Sequence, residues 1–211
     1  ETAYELFSTA KDFDGDPILG GSISKWKKAT TAFQLKVLMH LSKKESDADL
    51  KVKERFARIV ASGSLMESNE DNLQMKYADK ANTVYPFHNT NTKHAGYAML
   101  STMLIDKFKA TGDIRMFYYA KPAKAKLNEG VTADSWDAYI GTDPSLPFEQ
   151  IEKAYATEQY SGFNARYTDY PSGEPVVRLG YAEQNFILAE AAVRGWISGD
   201  ASAYYKKAIR A

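Results

Sequence analysis

The chain of 211 residues contains no cysteine and carries no net charge, with 27 Lys and Arg balanced by 27 Asp and Glu. Without cysteine there is no disulfide framework, no thiol nucleophile and no thiolate-bound zinc. The balanced charge argues against a nucleic-acid binder, which needs surplus cations to neutralise phosphates, and against a polybasic membrane patch. No apolar run approaches the roughly 18 residues of a spanning helix. Aromatic residues, in contrast, are plentiful, with 14 Tyr, 10 Phe and 3 Trp.

The two ends of the sequence indicate a piece of a longer protein. The chain begins at Glu1 with neither Met nor a signal-peptide pattern, and it ends at Ala211 within a helical pattern that no Gly, Asn or Pro closes. We therefore expect residues 1–211 to be a single part of a larger domain.

Apolar residues at helical spacing predict helices over residues 24–42, 50–62 and 94–111. Ser24 is the expected N-cap of the first of these, and Gly63 and Gly112 are expected to end the other two. The residues expected to form their apolar stripes are Trp26, Ala29, Phe33, Val37 and Leu41 in the first helix, Val52, Phe56, Ile59 and Val60 in the second, and Tyr97, Leu100, Met103, Leu104 and Phe108 in the third.

Residues 181–211 predict a helical hairpin. A first helix is expected to end at Gly195, and a second to begin at Asp200 as its N-cap. The expected inner face of the first helix consists of small and apolar residues: Ala182, Phe186, Ala189 and Val193. Residues 68–93 and 118–180 follow neither period, and we expect them to form a layer of long ordered loops. The fold class predicted is mainly α with little β, at most a minor hairpin.

Several segments, in order along the chain, resemble the SusD/RagB family of nutrient-binding outer-membrane lipoproteins of Bacteroidota. They are Asp16-Pro-Ile-Leu-Gly-Gly-Ser-Ile-Ser-Lys-Trp-Lys-Lys running into Phe33-Gln-Leu-Lys-Val-Leu-Met-His-Leu-Ser42, then residues 61–72, Gly112-Asp-Ile-Arg115 with Tyr119-Ala-Lys-Pro122, Tyr139-Ile-Gly-Thr142, and residues 181–196. The chain departs from the family where relatives commonly have Asn and two Arg, because Thr31, Lys36 and His40 stand there, and where Ile114 replaces Pro. Because Lys and His cannot replace a planar guanidinium, local hydrogen bonding is expected to differ.

The resemblance implies a superhelix of tetratricopeptide-like helix pairs that carries irregular loops. It also implies a function: capture of oligosaccharide, or sometimes peptide, at the cell surface and delivery to a SusC-like TonB-dependent transporter. Such a protein performs no chemistry and needs no cofactor. Its only membrane attachment would be a lipid on a cysteine upstream of Glu1.

Aromatic loops supply the candidate ligand site, because sugars offer apolar C–H faces to flat rings and hydroxyls to neighbouring polar groups. One candidate combines Trp136, Asp137 and Tyr139. The residues of a second candidate are Tyr85, Phe87, His88 and Asn89. The alternative interpretation is that these aromatics hold the loops onto the helices. Trp26 and Trp196 lie on apolar helical stripes and are expected in the core.

No residue pattern predicts a metal site. The segment Asp12-Phe-Asp-Gly-Asp16 begins like an EF-hand loop, but Pro17 stands where that loop needs Gly and Ile23 where it needs Glu. A looser cation site in this loop stays open as an alternative. His88 and His94 lie six residues apart without a third ligand nearby.

No residue pattern predicts a catalytic site either. The close pair Asp134 and Asp137 and the helical pair Glu183 and Glu190 are the nearest approach to glycosidase carboxylates. Arg194 follows Glu190 by four residues, and this spacing favours a surface ion pair over a general acid.

Two other functions stay open at this stage. The first is a helical-repeat scaffold or peptide binder with no sugar site in these residues. The second is an enzyme that acts on glycans, which would have to release product from an oligosaccharide.

Overall fold

The computed structural model describes residues 2–91 and 98–211, which form two compact units. The first unit consists of the described residues up to Lys76 together with Val176–Ala211, and the second of Tyr77–Pro175. The elements, in chain order, are α1 (Thr2–Leu6), α2 (Ile23–His40), α3 (Val52–Ala61), β1 (Leu73–Met75), α4 (Thr102–Thr111), α5 (Met116–Tyr119), α6 (Lys124–Asn128), α7 (Phe148–Ala156), α8 (Ala165–Thr168), β2 (Val176–Leu179), α9 (Tyr181–Val193) and α10 (Ala201–Arg210). Short 3₁₀ turns cover Ser42–Lys44, Asn69–Asp71 and Trp136–Ala138. The mainly α fold class is confirmed.

Helix α2 begins earlier than the sequence predicts. Its N-cap is Ser22 and not Ser24, and the Ser22 hydroxyl accepts a hydrogen bond from the Lys25 N–H. The Asp12 carboxylate satisfies a further free N–H of this first turn, that of Ile23, at 2.8 Å. Hydrogen-bond partners for the first turn thus come from the preceding loop, and spacing alone does not show this.

The buried face of α2 also differs from the predicted stripe. Phe33 is 55% exposed and Val37 is exposed as well, whereas Leu35 and Leu38 are buried. The helix carries apolar side chains on more than one face, and its neighbours α3 and α9 decide which of them is covered. The resulting core of the first unit combines Leu35, Leu38, Met39, Val52, Phe56, Ile59, Leu188, Ala191 and Trp196.

The helical hairpin α9–α10 is confirmed. Gly195 has φ +70°, and the Asp200 side chain caps α10 by accepting a hydrogen bond from the Ser202 N–H at 2.9 Å. The predicted inner face of α9 is partly wrong, because Phe186 is exposed and Val193 is 78% exposed. Two polar residues, Gln184 and Asn185, are buried there instead, and a search for apolar periodicity overlooks polar residues in a core.

The departures from the family pattern in α2 have distinct surroundings. Lys36 forms an ion pair of 2.7 Å with Glu183 on α9. Thr31 is fully buried, and within the described part of the chain its hydroxyl oxygen has no hydrogen-bond partner. His40 is exposed at the end of the helix. Of the three, only Lys36 has a charged partner on another helix among the described residues.

The small amount of β structure is not a hairpin. β1 and β2 pair antiparallel, with Leu73 opposite Leu179 and Met75 opposite Val176, although about a hundred residues separate them in the sequence. The strands are short, and a register irregularity follows Leu73. Local sequence signals predict hairpins well but do not reveal pairing at this distance.

The predicted helix over residues 94–111 is wrong over residues 98–101. The helix α4 begins at Thr102 after the N-cap Ser101, while Met99 lies in a β-bridge with Gly162. His94 and Tyr97 lie outside the described residues. Within α4, Ile105 is buried and Met103 is 81% exposed. The core of the second unit contains Leu100, Ile105, Met116, Ala120, Ala138 and Tyr139.

The predicted loop segment 118–180 contains α6, α7, α8 and β2. Helix α7, from Phe148 to Ala156, is the longest of these and begins directly after Pro147, which favours a helix start. Phe148, Ile151, Ala154 and Tyr155 recur at helical spacing, so the sequence contains a periodic signal that the loop prediction missed. In the described part of the chain, no helix is long and apolar enough to cross a membrane.

Candidate functional site

The first predicted site, around Trp136, lies mainly in the core of the second unit. Tyr139 is 3% exposed and donates its hydroxyl hydrogen to the Ala133 carbonyl at 3.0 Å. The half-buried Trp136 ring meets the Phe117 ring edge-on, with 4.9 Å between centroids. Asp137 is exposed. For Trp136 and Tyr139 the contacts match the alternative interpretation, in which aromatics hold a loop onto the core.

Asp137 and Tyr139 do line one cavity of about 520 Å³, together with Thr102, Asp106, Lys109, Lys126, Ile140 and Gly141. Its walls offer two carboxylates and two ammonium groups but little aromatic surface, because Tyr139 is buried. The cavity lacks a flat ring on which a sugar could stack. A ligand role for Trp136, Asp137 and Tyr139 stays a prediction.

The second predicted site divides into inward and outward residues. Tyr85 is buried, its ring is 5.1 Å from that of Tyr77, and its N–H donates to the Pro171 carbonyl at 2.7 Å. Burial raises the pKa of the Tyr85 phenol. His88 is buried too, with its Nδ1 2.7 Å from the Thr90 hydroxyl. Tyr85 therefore anchors the segment to the chain at Pro171, and His88 faces inward with a partner in its own segment.

Phe87 and Asn89, which flank the buried His88, line a cavity of about 220 Å³. The Phe87 ring is partly exposed, with its centroid 5.0 Å from that of Phe163. The Asn89 N–H donates to the Thr168 carbonyl at 2.8 Å, which fixes the segment beside α8. The remaining wall residues are Ala98, Lys121, Tyr160, Phe163, Thr168 and Asp169. We call this cavity the Phe87–Tyr160 cleft.

Tyr160 is an aromatic cleft residue outside the predicted sites. Its ring lies nearly parallel to that of Tyr155, with 5.4 Å between centroids and 18° between planes. Burial raises the pKa of the Tyr160 phenol, so the group is neutral at physiological pH. The signal that could have found it is the run Tyr160-Ser-Gly-Phe163, in which small residues separate two aromatics.

Gly162 makes room for the cleft. A Cβ on Gly162 would lie 2.9 Å from Cε of Lys121 and 3.7 Å from the Tyr160 ring. The backbones of the two segments are close as well, since the Lys121 N–H donates to the Gly162 carbonyl at 3.0 Å. The Lys121 side chain can therefore lie across Gly162 and alongside Tyr160.

Three of the four carboxylates considered for catalysis, Asp134, Glu183 and Glu190, are engaged in surface contacts. Glu190 forms the expected ion pair with Arg194, at 2.7 Å, and Glu183 pairs with Lys36. A hydrogen bond from the Thr132 hydroxyl lowers the pKa of Asp134. A glycosidase general acid needs the opposite shift, a raised pKa.

The acidic segment before α2 has a structural role. The Asp16 carboxylate accepts hydrogen bonds from the Ile18 N–H at 2.8 Å, the Gly21 N–H at 3.0 Å and the Trp26 indole N–H at 2.9 Å. The pKa of Asp16 is lowered, chiefly by the Ile18 N–H. Over residues 2–91 and 98–211 no group of three His, Asp or Glu side chains is arranged to hold a metal ion.

These features define a mainly α-helical protein in which one unit contains a helical hairpin and the other, built largely from loops, contains an aromatic cleft. The family model described as "Starch-binding associating with outer membrane" matches residues 1–211. The chain belongs to this SusD-like family, and the resemblance found in its sequence is confirmed.

Solved structures agree with this assignment. A SusD homologue from Bacteroides fragilis NCTC 9343 is 99% identical over 100% of this chain, with a TM-score of 0.82. An outer membrane protein of Bacteroides vulgatus ATCC 8482, associated with nutrient binding, is 35% identical over 100% of the chain, with a TM-score of 0.77. A chitin-binding protein is 22% identical over the full chain, with a TM-score of 0.63, and shows likeness of fold alone.

The chain spans less than half of these relatives, covering 44% of the first, 46% of the second and 47% of the third. Among curated proteins, none matches the sequence.

Proposed function

We propose that this chain is part of a surface glycan-binding protein of the outer membrane, and that its second unit contacts oligosaccharide in the Phe87–Tyr160 cleft. One observation carries the proposal: the cleft places aromatic rings, Phe87 and Tyr160, beside the amide of Asn89 and the carboxylate of Asp169. Rings bury the apolar faces of sugars, and polar groups orient their hydroxyls. The family description names starch, which supports a glycan ligand.

The test is titration calorimetry of the full-length protein with malto- and chito-oligosaccharides of one to six units. Tyr160→Ala and Phe87→Ala are each expected to weaken binding at least about tenfold, which corresponds to about 1.4 kcal/mol. Tyr170→Ala is the matched control, because Tyr170 is exposed in the same unit and is not among the cleft residues. Equal affinities of all three variants and the wild type would place the ligand elsewhere.

A binding role also has to be separated from turnover. We expect no product when either oligosaccharide series is incubated with the purified protein over several days and the mixture is analysed by chromatography. Steady release of shorter sugars, absent after heat denaturation, would identify a glycan-active enzyme instead.

Family membership supports a further part of the proposal, delivery of the bound glycan to a SusC-like TonB-dependent transporter, with the protein held at the cell surface by a lipid anchor outside this chain. Purification of the tagged full-length protein from detergent-solubilised membranes is expected to bring the transporter with it. If the transporter co-purifies but no glycan binds, the alternative of a helical protein-interaction scaffold is favoured. If the transporter does not co-purify, the delivery step is unsupported.

A further inference from the structure

A second cavity of about 310 Å³ adjoins the Phe87–Tyr160 cleft. Its wall consists of Lys121, Pro122, Lys124, Leu127, Glu158 and Tyr160. Lys121 and Tyr160 line both cavities. We call the new cavity the Leu127 chamber.

The two residues that the cavities share lie close to one another. Lys121 lies across Gly162, and the Tyr160 ring is held in place by its stack on Tyr155. Lys121 is exposed, and within the described part of the chain it forms no ion pair. Its ammonium group is therefore available at the junction to a ligand that crosses from one cavity to the other.

The chamber, like the cleft, combines apolar surface with polar groups. Leu127 is partly exposed and, with Pro122 and the Tyr160 ring, provides apolar surface. Lys124 and Glu158 form an ion pair of 2.6 Å at its rim, and both are accessible to solvent. Their remaining donors and acceptors can hydrogen-bond the hydroxyls of a sugar ring.

Size points to a ligand that occupies both spaces. Cavities that hold small ligands have volumes of roughly 300–1,000 Å³. The cleft alone, at about 220 Å³, lies below this range, and the chamber, at about 310 Å³, lies at its lower end. Taken together they fall well inside it.

We infer that the cleft and the Leu127 chamber are two adjacent subsites for one glycan chain of at least two sugar rings, with Tyr160 and Lys121 at the junction. This inference rests on the proposed glycan-binding function and adds the minimum length of the ligand. One ring stacks in the cleft beside Phe87, the next enters the chamber beside Leu127, and the linkage passes Lys121. A single sugar occupies only one subsite and binds more weakly.

The test compares affinity with chain length in the full-length protein. Wild-type affinity is expected to rise at least about tenfold between one unit and three units of the malto- or chito-oligosaccharide that binds. Leu127→Trp fills the chamber and is expected to abolish this rise while leaving the affinity for the single sugar unchanged. Leu146→Trp is the matched control, since Leu146 belongs to the same unit, has a similar exposure and lines neither cavity.

The outcomes separate this inference from the proposed function. If Tyr160→Ala loses binding but Leu127→Trp keeps the full length dependence, the chamber is not a subsite and the cleft binds alone. If the wild type binds neither series at any length, the proposed function fails first. Circular dichroism of both Trp variants checks that they are folded.

Discussion

The side chain of Gln184 pairs with both backbone polar groups of Met66. Its Oε1 accepts from the Met66 N–H at 2.9 Å, and its Nε2 donates to the Met66 carbonyl at 3.0 Å. Gln184 is 2% exposed and Met66 is also buried. The Gln184 amide thus makes the pair of hydrogen bonds that a neighbouring β-strand would make with Met66. In this way it connects α9 to the segment that follows α3.

Replacing this amide is expected to destabilise the fold. Gln184→Leu has a suitable size but leaves two buried backbone groups without partners, at about 1–3 kcal/mol for each group. We expect the free energy of unfolding, measured with urea, to fall by about 3 kcal/mol. Gln159→Leu, at an exposed position, is the control and should change it by less than about 0.5 kcal/mol. A Gln184→Leu variant as stable as the wild type would mean that the pairing contributes little.

Asp71 and Lys28 give the first unit an acid-sensitive contact. Burial alone would raise the pKa of Asp71, but the Glu67 N–H at 2.8 Å and the Lys28 ammonium at 2.9 Å outweigh it, and the pKa lies below its ordinary value. A carboxyl group with a lowered folded-state pKa stabilises the protein above its unfolded pKa of about 3.9. This stabilisation is lost as the pH falls through the folded-state value.

Urea unfolding of wild type and Asp71→Asn at pH 7 and pH 3 measures this contribution. The difference in unfolding free energy is expected to be about 1–3 kcal/mol at pH 7 and clearly smaller at pH 3. Glu70→Gln serves as the control, because its ion pair with Lys76 is long, at 3.9 Å, and exposed. A pH-independent difference for Asp71→Asn would contradict the assigned role of its charge.

Local signals along the sequence predict only part of this fold. The hairpin of α9 and α10 is predictable because Gly195 and Asp200 determine its turn through their own backbone and side chain. The buried faces are less predictable, since Phe33 is as apolar as Leu35 and only the neighbouring helices decide which is covered. The pairing of β1 with β2 joins segments about a hundred residues apart, and local periodicity does not predict contacts at that distance.

The candidate site shows the same division. Phe87 and Asn89 were predictable as members of an aromatic, polar loop. The loop sequence does not show that Tyr85 and His88 are buried while Phe87 and Asn89 face a cavity. It also does not show that Tyr160 lines the same cavity. Tyr160 reaches the cleft because a β-bridge joins Ala120 to Phe163 and brings distant segments together. Composition indicates which residue types could bind a glycan, whereas tertiary contacts determine which of those residues form the site.

Gly173 allows Tyr85 to hold the cleft segment in place. Its φ is +46°, and a Cβ would lie 2.2 Å from Cγ of Tyr85. Gly173→Ala is therefore expected to displace the Tyr85 ring and to lower the unfolding free energy by about 2–3 kcal/mol. This loss combines the strain of a positive φ with the steric clash between the new Cβ and Tyr85. Gly112→Ala, with φ +62° and open space around it, should show the backbone cost of about 1 kcal/mol alone. Equal losses for the two variants would show that the Tyr85 contact does not matter.

Trp136 decides between the two interpretations of the predicted aromatic site. Its ring packs edge-on against Phe117 and is not among the residues that line the cleft or the Leu127 chamber. Trp136→Ala is expected to lower the unfolding free energy by about 2 kcal/mol through lost packing, whereas Trp136→Phe should retain most of it. Calorimetry of the folded Trp136→Ala variant should give the wild-type glycan affinity. A loss of affinity in both variants, without a loss of stability, would return Trp136 to the ligand site that the sequence predicts.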